Sequence, residues 1–157
     1  MAKIKRSELL TYINTTPSST ATYALLGTGV ISGTINMNPT VTTETNIHED
    51  SASIFVESYA PTMPVEVTAN NTEAAFEYLD ALRKARATLG DCETDIVNVW
   101  NYETGGPTAA PAEKQPVSIQ IDSFGGDGGK AVKLNCTINY IGDPTTGTFN
   151  TSTKAFT

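Results

Sequence analysis

The only histidine of the chain, His48, stands in the stretch NIHED, followed at once by Glu49 and Asp50. An imidazole beside carboxylates can ligate a divalent cation or act as a general base. A metal site, however, needs ligands converging from separate backbone positions, and these three come in a row. Ser-His-Asp or Cys-His catalysis would have to recruit the same imidazole, and the chain has neither a G-x-S-x-G elbow nor a sequence-local partner for it. NIHED therefore reads as a solvated loop. The acids of DCETD, Asp91, Glu93 and Asp95, read as a turn after a helix.

The stretch SFGGDGGKA invites a phosphate-loop reading. A Walker loop needs glycine where Phe124 stands and Ser or Thr where Ala131 stands. Gly126, Gly128 and Ala131 fit the looser dinucleotide spacing, but that site needs a helix after the glycines, and an alternating strand pattern follows here. The glycines are expected to serve a wide hairpin turn instead. Cys92 and Cys136 fit no zinc spacing and are too few for a disulfide scaffold. Both are expected to be reduced, Cys136 as a small buried hydrophobe. The chemistry-bearing residues thus predict no enzyme, no cofactor and no metal.

The elements around these residues are mostly strands. Threonine, asparagine, serine and glycine are abundant among the 157 residues and the charged fraction is 17%, a mixture that favours strands and turns. The pattern predicts short strands in SELLTYIN, TYALLG and VISGTINMNP, with Ile31, Gly33, Ile35 and Met37 on one side of the last. A polar arm or loop over about 38–50 follows, with strand character around Val41 to Thr45, then two short strands interrupted by Pro61 and Pro64, which should not lie in a central ladder. A helix is predicted over about 71–88, ending near Gly90, with Asn70 and Glu73 as a capping box and Phe76, Leu79 and Leu82 as its buried stripe. DIVNVW reads as a strand and YETGGPTAAPAEKQP as a loop. A long hairpin over about 116–141 carries Val117, Ile119, Ile121, Val132, Leu134, Cys136, Ile138 and Tyr140 on its apolar face. The tail after Gly142 reads as weakly structured. The expected fold is a single mainly β domain over 1–157, a β-sandwich or partial barrel with one flanking α-helix.

Seventeen Asp and Glu oppose ten Lys and Arg, and Lys3, Lys5 and Arg6 are three of those ten. A body with that balance is not built to bind nucleic acid by neutralising phosphates. The N-terminal stretch has no apolar h-region and no run reaches membrane-spanning length, so neither secretion nor membrane insertion is expected. The polar face of the hairpin is Ser118, Gln120, Asp122, Lys133, Asn135, Thr137 and Asn139. Lys133 is its exception, with Asp122 across the hairpin as the candidate partner. Within the hairpin little Lys or Pro guards the strand edges, which leaves self-assembly through edges as one hypothesis.

Taken in order, NPTVTTETNIHEDSASIFVESYAPTMPVE, NTEAAFEYLDALRKARA and AEKQPVSIQIDSFGGDGGKAVKLNCTINYIGDPTTGTF cover most of the chain. Together they resemble the major tail tube proteins of long-tailed, non-contractile bacteriophages or prophages. The resemblance implies a small β-sandwich with a flanking helix, assembled into stacked hexameric rings whose inner sheets form a continuous barrel. It implies a structural virion protein of the tail, assembled in the bacterial host cytoplasm, through whose lumen viral double-stranded DNA passes without specific binding. Its implied partners are further copies of itself and the tail initiator, tape measure and tail terminator proteins. By the same resemblance the hairpin's polar face would line the lumen, and the loop about 38–50, with Glu44, His48, Glu49 and Asp50, would contact the next ring. Two other readings remain. One is a monomeric β-sandwich binding module of a phage particle, for which Trp100 and Tyr102 are the candidate aromatic platform. The other is the inner tube of a contractile injection device.

Overall fold

The computed structural model describes residues 2–157. The chain forms β1 (Leu9–Asn14), β2 (Tyr23–Leu25), β3 (Val30–Gly33), β4 (Pro39–Glu44), β5 (Ser53–Tyr59), β6 (Thr62–Thr68), α1 (Ala74–Ala85), β7 (Glu93–Trp100), β8 (Ala110–Gly125), β9 (Lys133–Tyr140), β10 (Thr145–Asn150) and β11 (Ala155–Phe156). One antiparallel sheet runs β2-β1-β7-β8-β9-β6-β3, with β10 and β11 continuing beside β8, and it curls into a half-barrel. β4 and β5 form a separate two-stranded ribbon.

Alternation along β7 sets up two cores on opposite faces of this sheet. Ile96 points to a core with Ile13, Val65, Val67, Val117, Ile119, Leu134 and Ile138, closed by Phe76, Leu79 and Leu82 of α1. Its neighbour Val97 points the other way, to Tyr12, Tyr23, Val99, Ala110, Ala112 and Phe149. Each large side chain removed from water on these faces contributes roughly 1.5–3 kcal/mol before entropy is counted. The apolar set expected for the hairpin is the set that faces the helix, except Val132, which lies before β9 and is 39% exposed.

Several expectations need correction. Pro64 lies within β6, opposite Thr137 of β9. It is tolerated because the backbone groups of Thr62 and Thr68 on that side bond to Asn36 and Gly29, while the β3 ladder breaks between Gly33 and Asn36, so no donor is needed at Pro64. A separate register shift between Val30 and Gly33 leaves Ile31 84% exposed, while Val30 and Ile35 pack on the core. Asn70 does not cap the helix: its Oδ1 accepts from Thr72 N and Oγ1, and Glu73 occupies the cap position with no side-chain bond. The helix stops at Ala85 because Arg86 turns left-handed, with φ 48°. Residues 110–116, expected as loop, are the first half of β8, paired to β7 and β10. The tail is ordered as β10 and β11, and Phe149 is fully buried.

β8 therefore has two partners in succession on one edge, β10 over its first half and β9 over its second. Gln115 sits at the changeover, and its Nε2 donates to the carbonyls of Ile141 (2.6 Å) and Gly142 (2.9 Å). The buried amide thereby takes up carbonyls of the crossing chain that neither ladder satisfies.

Candidate functional site

The polar face comes from three adjacent strands. β6 contributes Glu66 and Thr68, β9 contributes Lys133, Asn135, Thr137 and Asn139, and β8 contributes Ser118, Gln120, Asp122 and Ser123. A bulge between Ile121 and Ser123 explains why two consecutive residues share this face. Gln120 Nε2 donates to Asp122 Oδ1 at 2.6 Å, Thr137 Oγ1 donates to Asp122 Oδ2 at 2.8 Å, and Asn135 Nδ2 donates to Ser123 Oγ at 2.9 Å. Asn139 Nδ2 reaches Gln120 Oε1 at 3.4 Å. The amides and hydroxyls bond across the strands, so the face is wettable and its side chains are held in place.

Lys133 does not pair with Asp122. It stands opposite Gly125 on β8 and Thr68 on β6, and its ammonium donates to Thr68 Oγ1 at 2.7 Å and lies 3.6 Å from Glu66 Oε1. The register places Asp122 beyond its reach and Glu66 beside it. Two carboxylates, Glu66 and Asp122, thus face one ammonium across this sheet surface. Ser118 belongs to its rim: it is half-buried, with Cys92 Sγ 3.4 Å from its hydroxyl. Glu66, Thr68 and Ser123 were not among the residues expected here. The alternation of VEVT carries the signal for the first two, which the reading of Pro64 as a strand breaker hid.

The strand character expected around Val41 to Thr45 is present as β4, but the arm is more than the expected loop. It is a hairpin that begins at Pro39 and returns through Tyr59, with Glu44 opposite Ser53. His48, Glu49 and Asp50 lie in its tip, where His48 Nε2 is 3.6 Å from Glu49 Oε1 and Asn46 Nδ2 donates to Glu49 Oε2 at 3.0 Å. Val41 pairs with Val56 and Thr43 with Ile54, so one face of the ribbon is apolar and β-branched. Val41, Ile54 and Val56 are each at least half exposed, and Ile47 at the tip is fully so. The run SIFV carries this signal in the sequence, but alternation cannot distinguish a strand of the body from a strand that leaves it.

Among the described residues no group of three or more His, Cys, Asp and Glu side chains is arranged to hold a metal ion. No helix among them is long and apolar enough to cross a membrane. Trp100 is half-buried and lines a groove of about 660 Å³ at the base of the arm with Tyr59 and Tyr140, while Tyr102 lies outside that groove. The two aromatics considered as a platform are therefore not brought together on it.

No protein-family model matches the sequence, and no curated protein matches it. Among solved structures, the chain is similar to one from the tail of an empty GTA particle refined helically with C6 symmetry. That match has a TM-score of 0.64 and 11% identity, and covers 91% of this chain and 98% of that one. A second match, to a chain of the six-fold symmetrised baseplate of the anti-feeding prophage (AFP), has a TM-score of 0.47 and 11% identity over 93% of this chain and 97% of that one. The curled sheet with its single flanking helix is thus the fold of a protein found in a particle tail.

Proposed function

We propose that the protein is a structural tail component whose copies assemble into rings and stack into a tube, with the polar face of β6, β8 and β9 turned to the lumen. The observation that carries this reading is that face: three adjacent strands of hydrogen-bonded hydroxyls, amides and carboxylates whose one ammonium is neutralised beside Glu66. A wall along which duplex DNA slides must be wet and must not hold phosphates, because clustered cations bind DNA through counterion release. Closing the half-barrels of successive copies into a ring also pairs strand edges that a lone copy leaves open. The similarity to a chain from a C6-symmetric tail supports the same arrangement.

In its finer form the proposal is a hexameric ring in a non-contractile tail that delivers viral double-stranded DNA, with the arm of one ring, including Glu44, His48, Glu49 and Asp50, contacting the next. Self-copies, the tail initiator, the tape measure and the tail terminator are its partners in that setting, and the virion tail is its location. Negative-stain electron microscopy with light scattering on concentrated purified protein tests it, followed by a structure of the assembly. Hollow tubes or six-membered rings with Gln120, Asp122 and Thr137 facing inward are expected. Tubes carrying those side chains on the outer surface would overturn the assignment of the face.

A further inference from the structure

We propose that the groove between the N-terminal segment and β3 is the acceptor for the arm of a second copy; this rests on the assembly reading above and names the contact that propagates it. The groove has a volume of about 440 Å³ and is lined by Leu9, Leu25, Leu26, Val30 and Ile31, with Arg6 on its rim. Leu25 is 37% and Ile31 84% exposed, so the chain itself leaves this apolar surface uncovered. The arm is its complement. Its ribbon exposes Val41, Ile54 and Val56 on one face and Ile47 at the tip, and neither of its strands joins the main sheet. A two-stranded ribbon with an uncovered apolar face is marginal in water and gains by burying that face.

Charge points to the same pairing. The arm carries Glu44, Glu49, Asp50 and Glu57 and no Lys or Arg from 38 to 60. The segment that borders the groove carries Lys3, Lys5 and Arg6, all exposed. Of the cations elsewhere, Arg83 and Lys84 bind Asp80 and Lys133 lies beside Glu66, while Arg6 at the groove is held by the carbonyls of Leu9 and Gly33. An acid-tipped apolar ribbon and a base-rimmed apolar groove match in both respects.

In the structure the arm does not dock on this groove of its own subunit, since Val41, Ile47, Ile54 and Val56 stay exposed. The arm leaves the body at Asn36 and Asn38, bonded to Thr62 at the first residue of β6. Gly29 and Val30, at the groove, bond to Thr68 and pair with Val67 at the far end of the same strand. Seven extended residues separate those ends by roughly 20 Å. Donor and acceptor are different surfaces of one subunit, so their contact is heterologous and repeats from copy to copy.

The test is a charge swap. Glu49→Lys with Asp50→Lys on the arm, and Lys3→Glu with Lys5→Glu at the groove, each place like charges opposite one another in a homogeneous sample, whereas an equimolar mixture restores opposite charges at every contact. Sedimentation and light scattering at low salt should show self-association falling by about tenfold or more in each variant alone and recovering in the mixture. As a readout independent of spontaneous assembly, Ile47→Cys in one chain and Ile31→Cys in another should give a mixed disulfide on oxidation, since Cys92 and Cys136 are buried and do not compete. Variants that assemble like the parent, or a mixture that forms no mixed disulfide, overturn the acceptor assignment. Tubes that persist in both charge variants do so while leaving the tail-wall reading intact; a mixed disulfide without any hollow tube keeps the acceptor and counts against the conduit.

Discussion

Phe149 is fully buried, with its ring 4.5 Å from that of Tyr12 and edge-on to Tyr23 at 5.8 Å. Truncation to alanine leaves a cavity that three strands cannot collapse, so Phe149→Ala should cost about 3–5 kcal/mol in urea denaturation with an unchanged slope. A loss below about 1 kcal/mol would mean that the tail does not seal the second core. Nothing in TTGTFN announces this role: one large apolar residue makes no alternation, and its burial depends on β1, β2 and β7 arriving from far away in the chain. Cys136 shows the opposite case, since its place on the apolar face of an alternating strand was legible. Burial, with a smaller contribution from Asp122, pushes its thiol from an ordinary 9.0 up to about 12. The folded state therefore favours the neutral thiol, and that stability is full below pH 9 and is lost as pH rises through about 12. Burial also raises the hydroxyls of Tyr12, Tyr78 and Tyr140, which adds to the alkaline loss. Urea melts between pH 9 and pH 12 should show stability falling, and Cys136→Ala should remove on the order of 3–4 kcal/mol of that fall. An identical slope in the variant would place the loss on the tyrosines.

At the scale of elements, the helix and the apolar face of the hairpin followed from periodicity because each has one face on a shared core, whereas the bulge that moves Lys133 away from Asp122 did not. Nor did the helix ends. Glu73 and Arg86 set them through backbone conformation, and Asn70 spends its side chain on its own turn. The arm was legible as a departure from the body but not as a ribbon, since its second strand, SIFVESY, carries as much apolar character as a core strand. Because β4 and β5 pair only with each other, the body should fold without them. Replacing residues 41–56 by a two-residue Asn-Gly turn should shift the thermal midpoint by no more than about 2 °C, as expected when no packed contact of a domain this size is lost. The same variant should stay monomeric where the parent assembles, as sedimentation would show. Normal tubes from the shortened chain would remove the arm from any role in stacking; a collapse in thermal stability would show that it braces its own subunit.

For the whole molecule, the question is why a sheet should keep one surface polar along three strands while its opposite face packs a helix. A solvated exterior needs no bonded ladder and tolerates scattered lysines, whereas Lys133, the one lysine among the described residues of this surface, is matched by Glu66. The conduit reading turns that composition into a functional requirement, and it can be broken deliberately. Gln120→Lys with Asn135→Lys adds two cations per copy at positions whose side chains are part of the face, without touching the helix side. Repeated around a ring, these cations should convert a sliding wall into a holding one. Assembled variant tubes should retain short duplex DNA at low salt and release it steeply as salt rises, with each neutralised phosphate contributing a slope of about −0.9. The retained duplex should resist nuclease, because a lumen shields it, while parent tubes retain none. Duplex that binds the variant yet is digested as fast as free DNA would place the face on the outside of the assembly, and the polar ladder would then belong to the surface the particle shows to solvent.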